Sequence, residues 1–114
     1  MRHTVSLTQN RDFRALYARG KNAAGAFLAV YNRRRRSGGV SRVGITVSTK
    51  LGGAVTRNRI RRRIREAYRL QEMQFRPGFD TVIVARSRAL NAPFSALQKE
   101  MVHLYAKLGM LAES

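Results

Sequence analysis

The chain of 114 residues has the length of one domain, and its hydrophobic fraction of 44% is enough for a modest core. It carries 23 Lys and Arg residues against 6 Asp and Glu, and the net charge of +17 predicts a polyanionic partner, nucleic acid before an anionic membrane surface. The absence of cysteine excludes a disulfide framework, a thiolate nucleophile and a cysteine-ligated zinc site, and no apolar run approaches the roughly 18 residues of a membrane span.

The first predicted element is a helix that follows Thr8 and ends at Gly20, with Thr8 or Asn10 as its cap. Its apolar residues recur at the spacing of one helix face: Phe13, Leu16 and Tyr17. Two strands follow, over residues 26–31 and 43–47, separated by an arginine-rich turn at 33–39. The second strand alternates Val43, Ile45 and Val47 with small or polar residues, which predicts one apolar face.

The second half of the chain contains a helix, a strand and a helix. The first of these helices is predicted over 54–73 and is followed by a break at Pro77 and Gly78 and by a strong strand at 81–85. The last helix enters through Asn91 and Pro93 and closes at Gly109. The order α-β-β-α-β-α predicts an α+β fold, an α/β sandwich of helices on a small mixed sheet, as a single domain over residues 1–114.

The segment 56–69 carries the strongest functional signal. Seven of its fourteen residues are arginine, and its apolar residues cluster on the opposite side of the helix: Ile60, Ile64, Ala67 and Tyr68. Like charges recur at i and i+4, which destabilises an isolated helix unless an anion compensates them. Guanidinium groups grip phosphates in pairs and stack on bases, so the segment favours folded RNA over a solvated surface, and its narrow apolar stripe does not favour a bilayer.

Acidic residues and histidines indicate no catalytic or metal site. The six acids stand far apart: Asp12, Glu66, Glu72, Asp80, Glu100 and Glu113. No two of them suggest a carboxylate dyad or a magnesium cage, and neither His3 nor His103 has a patterned partner. The sequence therefore argues against a self-sufficient enzyme. Since the N-terminal residues lack the apolar core of a signal peptide, we expect a cytoplasmic location.

Three stretches of sequence share motifs with a known protein family. Residues 42–69, RVGITVSTKLGGAVTRNRIRRRIREAYR, join a strand to an R-N-R motif and a basic helix. An L-x-x-x-x-D-F opening runs from Leu7 to Gly20, and a P-G-F-D strand runs from Pro77 to Arg86. Together they resemble the bacterial ribonuclease P protein subunit over nearly the whole chain. Gly53 departs from the family, which has Asn there, and this departure would loosen the start of the basic helix.

This resemblance implies a function for the protein. The family has a left-handed β-α-β crossover, and its partners are a large catalytic RNA and precursor tRNA, with no membrane or DNA expected. The ribonucleoprotein removes the 5′ leader of precursor tRNA endonucleolytically. The RNA performs the chemistry with Mg²⁺, so the protein is implied to be an enzyme subunit with no catalytic residues, no metal site and no stably bound cofactor.

The resemblance also implies two binding surfaces. Residues expected to bind the catalytic RNA are Lys50, Arg57, Asn58, Arg59, Arg61, Arg62, Arg63, Arg65 and Arg69. Residues expected to line a groove for the single-stranded leader are Phe13, Tyr17, Tyr31, Thr46, Ser48 and Arg86. Helical spacing alone would instead make Phe13 and Tyr17 core residues. The alternative function is that of a structural rRNA-binding protein of the ribosome, which needs phosphate contacts but no aromatic groove.

Overall fold

The computed structural model describes residues 3–35 and 39–112. Five strands are present: β1 (Thr4–Ser6), β2 (Lys21–Ala24), β3 (Leu28–Arg34), β4 (Ser41–Val47) and β5 (Phe79–Ala85). The α-helices are α1 (Asn10–Arg19), α2 (Ala54–Gln71) and α3 (Phe94–Lys107). Short 3₁₀ turns occupy Thr49–Leu51, Glu72–Gln74 and Ser87–Asn91.

All six predicted elements are present, and the α+β fold class is confirmed. The structure adds β1 and β2, which are too short to show an alternating pattern; β2 reads KNAA and has no β-branched residue. The predicted cap of α1 is wrong, because Gln9 occupies that position and no side chain caps the helix. The arginine turn begins later than predicted, since β3 continues through Arg34, and residues 36–38 of that turn lie outside the described residues.

The strands form one mixed sheet in the order β1-β4-β5-β3-β2. Strand β4 pairs in parallel with both β1 and β5, whereas β3 pairs antiparallel with β5 and β2. Helix α2 connects the parallel neighbours β4 and β5, so the basic segment is the helix of a β-α-β crossover unit. This helix packs against β4, so the arginine-rich segment lies on one face of the sheet.

The two faces of the sheet are covered unequally. Helices α2 and α3 pack on one face and enclose the main core, which includes Leu28, Val30, Ile83 and Leu104. Helix α1 packs on the other face over a smaller cluster: Leu7, Leu16 and Val82, with Phe13, Tyr31 and Val84 partly buried against it. Because one helix cannot cover a five-stranded sheet, part of this second face remains accessible. The structure therefore leaves an open surface on the side of α1.

Candidate nucleic-acid interface

Helix α2 presents its apolar stripe to the sheet, as the sequence predicts. Ile60, Ile64, Ala67 and Tyr68 are all buried. The Tyr68 hydroxyl is hydrogen-bonded to Thr4 Oγ1 at 2.7 Å, which fastens the helix to β1. Burial raises the pKa of Tyr68 to about 12. The arginines consequently project from the rest of the helix surface, toward solvent or along the rim of the core.

Two of the predicted RNA-binding arginines are engaged within the protein. Arg63 is half-buried, and its guanidinium donates to the Ala92 carbonyl at 2.6 Å, so it ties α2 to the segment before α3. Arg69 donates twice to the carboxylate of Glu66, one turn earlier. This bond raises the pKa of Arg69 and lowers that of Glu66. Both cations have partners that an RNA phosphate would have to share.

The start of α2 is organised around the R-N-R motif. Arg57 Nε donates to the carbonyl of Gly52 at 3.2 Å, and Arg61 donates to Asn58 Oδ1 at 2.8 Å. Gly53 is the N-cap and provides no side-chain hydrogen bond to the helix. The departure from the family pattern at this position thus leaves the first turn of α2 without a capping side chain.

Four cations on this side remain available for a ligand. Their side chains are exposed and make no hydrogen bond or ion pair among residues 3–35 and 39–112: Lys50, Arg59, Arg62 and Arg65. Arg62 and Arg65 also border a cavity of about 260 Å³ whose wall includes Phe13 and Gly44. The basic surface of α2 is therefore continuous with a concave edge that reaches α1.

The predicted groove has an aromatic pair at its centre. The Tyr17 hydroxyl, from α1, is hydrogen-bonded to Thr46 Oγ1 of β4 at 3.0 Å. The rings of Tyr17 and Tyr31 meet edge to face, with centroids 5.0 Å apart and an interplanar angle of 86°. Tyr17 remains 42% exposed, whereas Tyr31 is partly buried against the smaller core cluster, so the pair lies at the edge of that cluster with Tyr17 outermost. The structure brings these three predicted residues together.

Beyond this pair, the sheet continues as an open surface toward the ends of β4 and β5. Register places Thr46 beside Val84, and Val84 beside Ala29, in a row of partly accessible residues. Ser48 and Arg86 follow β4 and β5 at that end and are exposed. Their polar groups have hydrogen-bond partners within the protein. Ser48 Oγ accepts from the Lys50 amide, and Arg86 donates to the Gly25 carbonyl at 2.8 Å.

Phe13 is less exposed than Tyr17, which lies one turn later on the same helix. It is partly buried in the smaller core cluster, and its ring lies against Gly44 of β4. An ideal Cβ on residue 44 would stand 2.5 Å from Phe13 Cζ, so the glycine is what allows this approach. Phe13 seats α1 on the sheet and also lines the cavity beside Arg62.

Two side chains in this region form groups of long-range hydrogen bonds that were not predicted from the sequence. Arg42 of β4 donates to both carboxylate oxygens of Asp80 and to Asp12 of α1 at 3.3 Å, so it fixes α1 to the central strands. Glu100 of α3 accepts from the amides of residues 26, 27 and 28 at 2.6–2.7 Å and holds the β2–β3 turn. Each of these hydrogen-bonded groups joins residues at least 30 positions apart in the sequence, and no local sequence pattern reveals such a contact.

The described residues were also compared with the requirements of a metal site and of a membrane-spanning helix. Within residues 3–35 and 39–112, no three His, Asp or Glu residues form a group that could hold a metal ion. None of the helices in the same range has both the length and the apolar character needed to cross a bilayer. What the arrangement offers chemically is cationic hydrogen-bond donors and exposed aromatic faces, which suit a polyanion with unpaired bases.

Comparison with known proteins decides the family. The sequence matches the profile of the Ribonuclease P family over residues 1–109. The chain belongs to the ribonuclease P protein family. It is 43% identical to the ribonuclease P protein component of Clostridioides difficile over 102 residues, which are 89% of each chain. The resemblance inferred from the motifs is thereby confirmed.

Solved structures of ribonuclease P proteins share this fold. The protein from Staphylococcus aureus superposes with a TM-score of 0.83 at 29% identity, covering 94% of this chain and 97% of that one. The protein from Thermotoga maritima gives a TM-score of 0.78 at 27% identity, covering 87% and 93%. As a ribonuclease P protein component, the chain is a subunit of an enzyme of tRNA 5′ processing, with an RNA partner in the ribonucleoprotein.

Proposed function

We propose that the protein binds the catalytic RNA through α2 and holds the 5′ leader of precursor tRNA on the open sheet face beside α1. The observation that carries this proposal is the Tyr17–Tyr31 ring pair on the face of α1, in which Tyr17 is 42% exposed and Tyr31 is partly accessible. The exposed cations of α2 that have no partner among the described residues add phosphate-binding groups to the same protein. A protein that only neutralised phosphates would have no need for exposed rings. This pair therefore favours the leader-binding function over the ribosomal alternative.

The basic surface suits a folded RNA. Arg59, Arg62 and Arg65 project from one rigid helix, so they can meet phosphates at fixed spacing without ordering a loop. Asn58 and Arg61 already hold each other, which orients the guanidinium before RNA arrives. The complete set proposed for the catalytic RNA is Lys50, Arg57, Asn58, Arg59, Arg61, Arg62, Arg63, Arg65 and Arg69. Within it, most of the affinity comes from the arginines that have no partner in the part of the chain that the structure describes: Arg59, Arg62 and Arg65.

The groove suits a single strand of any sequence. Bases stack on aromatic faces at about 1–3 kcal/mol each, and every base has such a face. Tyr31 is held by its contact with Tyr17, which is itself tethered to Thr46, so the rings are ordered before the leader binds. Ser48 and Arg86 then provide polar groups at the far end of the groove, and Phe13 supports its floor through α1.

The chemistry in this proposal belongs to the RNA and its Mg²⁺. Acidic side chains of the described chain serve structural roles: Asp12 and Asp80 bind Arg42, Glu66 binds Arg69, and Glu100 binds the β2–β3 turn. None of these arrangements places two carboxylates free to activate water or carry a metal ion. The protein would thus assist cleavage by binding substrate and RNA together.

The decisive experiment compares two substrates in the reconstituted holoenzyme. Tyr31→Ala should weaken affinity for precursor tRNA with a leader of several nucleotides by roughly 1–3 kcal/mol, because a stacking platform is lost. Affinity for mature tRNA, which has no leader, should stay nearly unchanged. Tyr31→Phe is the matched control, since it retains the ring and should retain the leader-dependent affinity.

Two results would overturn the proposal. Equal losses on both substrates would place Tyr31 in the core or in the interface with the catalytic RNA. Failure of the wild-type protein to stimulate cleavage by a bacterial ribonuclease P RNA at low Mg²⁺ would contradict the proposed function as a whole. Binding curves and single-turnover rates measured on the same preparations distinguish these two outcomes.

A further inference from the structure

A second basic cavity lies at the β2–β3 edge of the sheet, away from β4, over which α2 packs. It has a volume of about 460 Å³, within the roughly 300–1,000 Å³ range of ligand sites. Its rim is formed by five cations, and none of its lining residues is acidic: Arg19, Lys21, Arg33, Arg34 and Arg76. It sits where β2 and β3 form the edge of the sheet opposite β1, next to the end of α3.

Asn32 gives this cavity an unsatisfied polar group. Asn32 lines the cavity from β3 and is only 3% exposed. Its Oδ1 has no hydrogen-bond partner among the described residues. A buried amide oxygen without a partner costs about 1–3 kcal/mol, so a ligand that donates a hydrogen bond there would recover that cost. The Asn32 oxygen accepts a hydrogen bond, and the surrounding Lys and Arg side chains donate hydrogen bonds. The cavity is therefore complementary to a ligand that carries both a negatively charged group and a hydrogen-bond donor.

An aromatic wall completes the cavity. Phe79 of β5 is partly buried, and Arg76 lies over its ring with the guanidinium carbon 5.9 Å from the centroid. Arg76 also donates to the carbonyl of Gly109 at 3.3 Å, so its position is fixed. The other four cations of the rim are exposed and make no hydrogen bond or ion pair within the described ranges 3–35 and 39–112: Arg19, Lys21, Arg33 and Arg34. Four cations are thus free beside the ring of Phe79.

We propose that this cavity binds one unpaired nucleotide of RNA. The phosphate would bind Lys21 and Arg34, and a ribose hydroxyl or base amino group would donate to Asn32 Oδ1. The base would lie along Phe79 and Arg76. RNA is favoured over an acidic protein segment because one nucleotide supplies an anion, a hydrogen-bond donor and a flat base for the Phe79 wall, whereas an acidic residue has no ring to lie along Phe79.

This site is separate from both surfaces of the proposed function. Successive residues of a strand face opposite sides of the sheet, so Asn32 lies on the face of α3 while Tyr31 lies on the face of α1. Strand β4, over which α2 packs, and the edge strand β2 are separated by β5 and β3. The inference rests on the RNA partner of the family and not on the leader groove.

The test uses the full-length protein with two substitutions, Lys21→Gln and Arg34→Gln, together. Loss of the two cations that hold this one phosphate should weaken RNA binding roughly tenfold at low salt and reduce the slope of log affinity against log salt by about 0.7. The charge-matched control is Arg11→Gln with Lys99→Gln, two exposed positions outside every cavity described above. The control should change affinity less than about twofold.

Two binding measurements identify the source of the nucleotide. One measures the affinity of the protein for ribonuclease P RNA alone, and the other measures the affinity of the assembled holoenzyme for precursor tRNA. A loss confined to the first assigns the nucleotide to the catalytic RNA, and a loss confined to the second assigns it to the substrate. Equal effects of the test and control variants would show a general charge effect and overturn the site.

Asn32→Leu tests the buried oxygen independently of charge. Replacing an unsatisfied amide with an apolar side chain of similar size should preserve the thermal midpoint or raise it, while RNA affinity falls severalfold. Unchanged affinity would show that no nucleotide reaches Asn32 and would overturn the proposal. Binding of a hexaglutamate peptide that is lost in Lys21→Gln/Arg34→Gln, with RNA binding intact, would assign the cavity to an acidic protein instead. The Tyr31 experiment is unaffected by either result, so the two proposals fail separately.

Discussion

The ring of Phe13 occupies the space that a side chain at Gly44 would need, with 2.5 Å between Phe13 Cζ and the position of an ideal Cβ. Helix α1 can therefore approach β4 closely enough for Tyr17 to reach Thr46. The salt bridge from Arg42 to Asp12 holds the same helix from its first turn. The width of the proposed leader groove depends on this seating.

Gly44→Ala should displace Phe13 and lower the free energy of unfolding by about 1–3 kcal/mol, as overpacking does elsewhere. Urea denaturation of the isolated protein measures the loss. The double variant Phe13→Leu/Gly44→Ala should be more stable than the sum of the two single effects predicts, because a smaller side chain makes room for the methyl group. Strict additivity of the two substitutions would show that the contact does not position α1.

Replacement of Arg62 and Arg65 together with Ala should weaken binding to the catalytic RNA. Each phosphate contact contributes close to one unit of salt dependence, so the slope of log affinity against log salt should fall by about one to two units. The fold should be unaffected because both side chains are exposed and outside the apolar stripe. Filter binding across a salt series measures the slope, and an unchanged slope would mean that these side chains do not contact RNA.

Arg63→Ala should behave differently from its neighbours on α2. Its guanidinium is bonded to the Ala92 carbonyl, so the substitution should destabilise the protein by about 0.5–1.5 kcal/mol. Arg62→Ala is the matched comparison, since it removes the same charge from the same helix at an exposed position. Thermal unfolding of the two variants measures the difference, and equal midpoints would contradict a structural role for Arg63.

The protein should lower the Mg²⁺ concentration that its RNA partner needs. Packed RNA helices repel one another, and either divalent cations or the arginines of a chain with net charge +17 can screen that repulsion. Cleavage of precursor tRNA measured over a Mg²⁺ series should show a midpoint several times lower with protein than without it. A midpoint independent of protein would refute this screening role.

Stability should fall when pH rises above about 10. The pKa of Tyr68 is raised to about 12 in the folded protein, whereas an exposed tyrosine titrates near 10, so the unfolded state loses its proton first. The contribution of Tyr68 is full below pH 10 and is lost as pH rises through the folded pKa, by about 2–3 kcal/mol in total. Tyr68→Phe should reduce this loss without abolishing it, because burial also raises the pKa of Tyr105. Urea unfolding midpoints recorded between pH 9 and 12 measure the loss of stability in the wild-type protein and in Tyr68→Phe.

Local patterns in the sequence were sufficient for the main elements and for the basic helix. Ile60, Ile64, Ala67 and Tyr68 recur at helical spacing, and the structure buries all four. The alternation of Val43, Ile45 and Val47 likewise predicted β4. These signals were readable because a helix or strand repeats its burial pattern every few residues. The family motifs lie in the same segments, so the family was also recognisable from the sequence.

Contacts between residues distant in sequence could be identified only from the tertiary structure. Periodicity showed arginines on α2 but not that Arg63 is bonded to Ala92, 29 residues away, or that Asp12 and Asp80 meet at Arg42. Helical spacing treated Phe13 and Tyr17 alike, whereas packing buries one ring against Gly44 and leaves the other exposed. By itself the sequence determined which side chains carry charge, rings and apolar surface. Only the fold decided which of them are free to bind, because their partners come from segments that no local repeat connects.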